Sequence, residues 1–147
     1  FIWQTGKYYY PQVTEAVRAE GELPNLHVTD FIKDMAAAYA ASDLVISRAG
    51  AGSISEFCLL HKPVVLVPSP NVAEDHQTKN ALALVDKQAA IYVKDSEAEA
   101  KLMDVALNTV ADDRKLKELS ENIAKLALPD SARIIAQEVI KLAEAEN

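Results

Sequence analysis

The sequence predicts an α/β fold: a doubly wound, mostly parallel Rossmann-like sheet with helices on both faces, ending in a helical C-terminus. Three observations carry that prediction. Short apolar, β-branched runs recur along the first two thirds of the chain, as in Leu44-Val-Ile-Ser47 and Val64-Val-Leu-Val67. Each is followed by a longer stretch of helical spacing, the pattern of right-handed crossovers between parallel strands covered on both sides. Beyond Ser96 every apolar repeat has the helical period.

The elements follow in order. Residues 1–4 read as a strand closed by Gly6, and 10–20 as a helix with Pro11 in its first turn and Gly21 as its stop. A second strand is expected at 26–29, a short Ala-rich helix at 34–41, and a third strand at 44–47 feeding the turn Arg48-Ala-Gly-Ala-Gly52. A helix over 53–60 and a fourth strand at 64–67 come next. The helix expected at 75–86 carries Ala81, Leu82 and Val85 on one face, and 90–93 is the last strand. The C-terminal repeats are Leu102, Ala106, Val110, then Leu116, Leu119, Ile123, Leu126, and finally Ile135, Val139, Leu142. Pro129 separates the last two helices, with Asp130 or Ser131 placed to cap the final one. Glu97, Glu99 and the acidic C-terminal end read as solvated helix faces.

Composition removes several classes of function. The 147 residues suit one domain, and half of them are hydrophobic. A net charge of −7, from 15 basic and 22 acidic residues, argues against nucleic acid as a partner. The longest apolar runs fall far below the ~20 residues of a membrane-spanning helix. Cys58 is the single cysteine and sits among apolar neighbours, so a buried structural thiol in a reducing compartment is expected. His27, His61 and His76 lack metal-ligand spacing with it, and no metal site is expected. The chain opens on Phe1-Ile-Trp-Gln4 with no initiator Met, so it is expected to be a single domain, incomplete at its N-terminus, of something longer.

In doubly wound sheets ligands bind beyond the carboxyl ends of strands. Three loops qualify: 30–34, 48–53 and 69–75. In the middle one, Gly50 and Gly52 allow positive φ and close backbone approach, and the N–H groups opening the next helix favour an anionic oxygen. The same stretch also reads as a capping box, Ser53-x-x-Glu56, serving only the helix terminus. The loop after the fourth strand gathers Asn, His and Gln side chains, the donors and acceptors that a polyhydroxylated ligand requires. Alternatively Asp75 caps a helix while His76 and Gln77 face solvent. In the first loop Phe31 is placed either to stack on a planar base or to join the core.

Taken together, Phe31-Ile-Lys-Asp-Met-Ala-Ala-Ala-Tyr-Ala40, Ser42-Asp-Leu-Val-Ile-Ser-Arg-Ala-Gly-Ala51, Ser55-Glu56, Lys62-Pro-Val-Val-Leu-Val-Pro68 and Ala73-Glu-Asp-His-Gln-Thr-Lys-Asn-Ala81 resemble one family. The chain looks like the C-terminal part of the MurG family of bacterial N-acetylglucosaminyltransferases, most densely from Asp30 to Ala81. The resemblance implies the donor-binding half of a GT-B enzyme that moves N-acetylglucosamine from UDP-N-acetylglucosamine to lipid I, giving lipid II in peptidoglycan synthesis. It implies that the Ile32 backbone reads the uracil with Phe31 beside the base. It places Ala51, Gly52, Ser53, Ile54, Ser55 and Glu56 at the nucleotide-binding helix start, with Glu56 on the ribose hydroxyls. His76 and Gln77 correspond to the pair that contacts the sugar ring, and Arg48 to an arginine that organises the loop or balances diphosphate charge.

The resemblance further implies no metal and no cofactor beyond the donor substrate, in keeping with the lack of an Asp-x-Asp element. It implies a peripheral location on the cytoplasmic face of the bacterial inner membrane. The family's diphosphate loop, its acceptor domain with the candidate general base, and its membrane-facing patch match nothing here. This stretch is therefore expected to hold no catalytic residue, to be inactive alone, and to meet lipid I and the membrane only through the missing domain. Gly52 stands where the family has a larger apolar residue. Other readings in view are a stand-alone donor-binding subunit of a two-subunit transferase, a UDP-sugar epimerase of the same architecture, and a non-catalytic nucleotide sensor.

Overall fold

A computed structural model describes residues 1–70 and 75–145, and its strand pairs are all parallel. The chain forms two compact units, residues 1–42 and 43–147.

The first unit contains β1 (Ile2–Gln4), α1 (Gly6–Ala19), β2 (His27–Thr29) and α2 (Met35–Ala41). β1 and β2 pair with Ile2 opposite His27 and Gln4 opposite Thr29, and Thr5 N extends the ladder to Thr29 O at 3.0 Å. The turn into α1 uses Gly6 at φ +74°, a conformation that costs a side-chain-bearing residue steric strain. Helix α1 starts four residues earlier than the apolar pattern predicts. Pro11 therefore lies inside the helix, not in its first turn, and the helix forgoes one ladder hydrogen bond there. Gly21, at φ +94°, closes the helix as expected, with its N–H on Arg18 O. Asp34 caps α2 by accepting from Ala37 N at 2.9 Å.

The second unit contains β3 (Val45–Ser47), α3 (Ala51–Leu60), β4 (Val64–Leu66), α4 (His76–Val85), β5 (Ile91–Tyr92), α5 (Asp95–Val110), α6 (Asp113–Ala124) and α7 (Ser131–Ala145). The strand order is β3-β4-β5, with β4 central. Val64, Val65 and Leu66 of β4 are fully buried, as an apolar strand covered on both faces must be. Phe57 and Cys58 of α3, Ala81 and Leu84 of α4, Ala106 of α5, and Leu119 and Ile123 of α6 complete the core. Of the face predicted for α4, Ala81 is buried and Val85 half-buried, but Leu82 is exposed and Leu84 turns inward in its place. Besides Asp75, two described non-glycine residues adopt the left-handed conformation, His61 at φ +53° and Gln88 at φ +54°. Helix α6 ties down both: Ser120 Oγ donates to His61 O at 2.8 Å and Asn122 Nδ2 to Gln88 O at 3.1 Å. None of the described helices is long and apolar enough to cross a membrane.

Candidate functional site

Phe31 and Ile32 belong to the first unit. They follow β2 in a loop fixed by local hydrogen bonds: Thr29 Oγ1 donates to Phe31 O at 3.0 Å, and Asp34 holds the far end. Phe31 is 61% exposed, which removes the core alternative. The Ile32 N–H, expected to read a base, donates to Gln4 Oε1 at 2.8 Å. A hollow of about 410 Å³ lies against this loop, bordered by Thr29, Phe31, Ile32 and Ala37. Gln4 has no sequence signal of its own; only the β1–β2 register, with Gln4 opposite Thr29, brings it to the loop.

The other candidates belong to the second unit. Helix α3 begins at Ala51, two residues before the sequence pattern places it, and its N-cap is Gly50. Ala51, Gly52 and Ser53 are thus the first turn of a helix rather than loop. Ser53 is not the N-cap, so the capping-box reading of Ser53 and Glu56 fails and Glu56 stands exposed in the second turn. The first i→i−4 bond of the helix runs from Ile54 N to Gly50 O at 3.0 Å, and Ser55 Oγ turns back to Ala51 O at 3.0 Å. The amides of residues 51–53 precede that ladder and sit at the positive end of the helix dipole. Gly50 is extended at φ −69°, so neither it nor Gly52 supplies a positive φ. What both supply is room, because a Cβ at either position meets open space.

Helix α4 fixes this platform from the side. Gln77 Oε1 accepts from Ala49 N at 3.2 Å and from Ser69 N at 2.9 Å, joining the loop after β3 to the loop after β4. Asn80, three residues on and therefore on the same helix face, donates from Nδ2 to Ala49 O at 3.2 Å. The backbone of fully buried Ala49 is gripped on both its N–H and its C=O. With its oxygen engaged, Gln77 has its Nε2 amide to offer a ligand. His76 is exposed at the first residue of α4, after Asp75, which occupies the N-cap position at φ +55° but makes no side-chain cap. Residues 71–74 of the third loop lie outside the described residues.

Arg48 lies beside the platform. Its Nη1 donates to Val67 O at 3.1 Å and Pro68 O at 3.3 Å, and it pairs with Asp95 at the start of α5. Neither Asn80 nor Asp95 is assigned a role from the sequence; the helical spacing of Asn80 to Gln77 is a signal that could have found it, whereas Asp95, 47 residues from Arg48, has none.

Cys58 is buried as expected, and that burial pushes its thiol pKa up. Glu97 is an exposed carboxylate held below its usual range by hydrogen bonding and attraction from Lys101.

Residues 1–135 match the family model described as glycosyltransferase family 28 C-terminal domain. The whole chain is 99% identical to 40% of the Bacteroides thetaiotaomicron UDP-N-acetylglucosamine–N-acetylmuramyl-(pentapeptide) pyrophosphoryl-undecaprenol N-acetylglucosamine transferase. Over 98% of its length it is 82% identical to 38% of the protein of that name in Bacteroides fragilis. The crystal structure of Acinetobacter baumannii MurG superposes with a TM-score of 0.83 at 30% identity, over 95% of this chain and 42% of that one. The chain thus spans about 40% of the length of the curated relatives it matches.

Proposed function

The chain belongs to the glycosyltransferase family 28 C-terminal domain family, and on that premise we propose that it is the donor-binding part of an inverting N-acetylglucosaminyltransferase. The reaction is transfer of N-acetylglucosamine from UDP-N-acetylglucosamine to lipid I, giving lipid II. The acceptor's sugar hydroxyl attacks the anomeric carbon as UDP leaves, and negative charge grows on the diphosphate. The observation that supports this reading best is the first turn of α3, whose 51–53 amides precede the helix ladder and closely follow Ala49, held on its N–H and C=O by Gln77 and Asn80. Prealigned donors of this kind meet developing charge without reorganising, and are worth roughly 3–4 kcal/mol each in other enzymes.

In this reading Phe31 lies against the uracil and the Ile32 backbone reads its edge. Glu56 accepts hydrogen bonds from the ribose hydroxyls, since an ionised carboxylate has acceptors for both. His76 and the Nε2 of Gln77 serve the hydroxyls of the N-acetylglucosamine ring. No metal or other cofactor takes part, and the general base comes from the acceptor-binding part of the longer protein. Contact with lipid I and with the cytoplasmic face of the membrane is made there too, as a peripheral association.

Two measurements test this. Titration with UDP-N-acetylglucosamine is expected to shift the amide resonances of Ile32 and of residues 51–56; unchanged spectra at millimolar donor count against the site. In the full-length protein Glu56→Ala is expected to raise the donor KM about tenfold, the loss of roughly one charge-assisted hydrogen bond. Acceptor KM and thermal stability should hardly move. A large stability loss with normal donor kinetics would instead make Glu56 a structural residue.

A further inference from the structure

The resemblance leaves Arg48 between two roles, and its contacts separate them. The two N–H bonds of Nη1 are shared among three acceptors: the carbonyls of Val67 and Pro68 and the Asp95 carboxylate. These come from separate places in the second unit, the exit of β4 and the first residue of α5, while Arg48 itself is the exit of β3. Val67 N in turn donates to Ser47 O at 2.9 Å, so the guanidinium crosses the two strand exits where their ladder ends.

We propose that Arg48 and Asp95 are a positioning pair, in which Asp95 aims the guanidinium so that it holds the two donor loops at a set separation. This rests on the donor-binding reading above. An exposed ion pair adds little to stability, and these side chains are 55% and 35% exposed. Stability is therefore not its main product; orientation is. An arginine without a carboxylate partner samples many rotamers, and one with a fixed partner is held in one orientation. The same Nη1 meets the carbonyl pair at 67 and 68, next to Ser69, whose N–H is bound by Gln77. Guanidinium and carboxamide thus hold the same peptide group, the one joining Pro68 to Ser69, at its carbonyl and at its N–H. Asp95 also neutralises Arg48, which keeps the guanidinium from turning to the donor diphosphate.

The test is a double-mutant cycle in the full-length protein with UDP-N-acetylglucosamine and a soluble lipid I analogue. Asp95→Asn, near-isosteric, is expected to lower kcat/KM for donor about 5- to 20-fold, with acceptor KM unchanged and the melting temperature within 2 °C. Arg48→Ala and the Arg48→Ala/Asp95→Asn double variant should match each other, because removing a partner already lost costs nothing more. Asp95→Glu should recover most of the loss, a rescue that a purely structural residue would not show in kinetics alone. Asp95→Asn with wild-type donor kinetics, or effects that multiply in the double variant, overturns the pair and makes Arg48 a direct donor ligand. A lowered donor KM in Asp95→Asn does the same. If Arg48→Ala does not fold, Arg48→Lys takes its place in the cycle. Absence of transfer by the unsubstituted protein would overturn the transferase reading itself, an outcome distinct from an active protein indifferent to Asp95.

Discussion

The two compact units are written in the same grammar, strand then loop then helix, yet they hold their loops by different means. In the second, β4 is completely buried and the loops after β3 and β4 are gripped by Arg48, Gln77 and Asn80 through hydrogen bonds to five backbone groups. In the first, no residue of 1–42 is buried, and the Phe31–Ile32 loop rests on Gln4, Thr29 and the Asp34 cap. Size explains the difference. In this chain, which spans about 40% of its relatives' length, two strands and two helices enclose no side chain on all sides, whereas three strands and five helices do. The lesson is that order at a strand exit comes from what lies behind it: a packed sheet supports a network, and a thin one supports single contacts.

Substitutions can break that contrast. The largest expected effect is in the buried strand: Leu66→Ala should cost about 2–5 kcal/mol in urea unfolding, through lost transfer energy plus a cavity. Ile2→Ala on β1, where the side chain is half exposed, should cost about 1 kcal/mol or less. Equal losses at both positions would erase the distinction. Next comes the comparison of two glutamines. Gln77→Ala strands two backbone amides in a partly buried site and should cost about 1–3 kcal/mol, with the donor KM rising as well. Gln4→Ala frees one exposed amide and should cost well under about 1 kcal/mol.

A smaller effect concerns Cys58. Burial raises its pKa in the folded state, so the unfolded chain loses the thiol proton first. The stabilisation that follows is complete below the unfolded thiol value of about 8.5 and falls as pH rises above it, by at most ~1.4 kcal/mol per pH unit. Stability measured from pH 7 to 10 should show that decline, and Cys58→Ala should flatten it. The smallest effect is at Glu97, whose depressed pKa gives a contribution present above the normal glutamate range and lost as pH falls through the folded value. Lys101→Ala should return the Glu97 titration, followed by NMR, toward its ordinary midpoint.

Much of this was legible in the sequence, and the failures share a cause. The strands were found because β-branched runs such as residues 64–67 have few other uses, and α6 because Leu116, Leu119, Ile123 and Leu126 repeat cleanly. Helix starts were misplaced where polar or glycine residues open them, at Gly6 and Ala51, because apolar periodicity begins only after the first turn. The same misplacement made Ser53 and Glu56 look like a cap. Leu84 turns inward where Leu82 is expected because an Ala-Leu-Ala-Leu-Val run permits more than one helical face. Gln4 and Asp95 were missed because each reaches its partner through the fold, 28 and 47 residues away.

In the proposed donor-binding reading, the Gln4 contact sets a limit on how an incoming base can be chosen. Its carboxamide oxygen already serves the Ile32 N–H, so a pyrimidine carbonyl arriving at that amide exchanges one neutral acceptor for another of the same kind. The count of hydrogen bonds does not change at that atom, and little affinity is gained by the trade. The Ile32 N–H is thereby paired within the chain itself. Discrimination among nucleobases then falls to whatever meets the ring's other edge and its face, which directs attention to the exposed ring of Phe31.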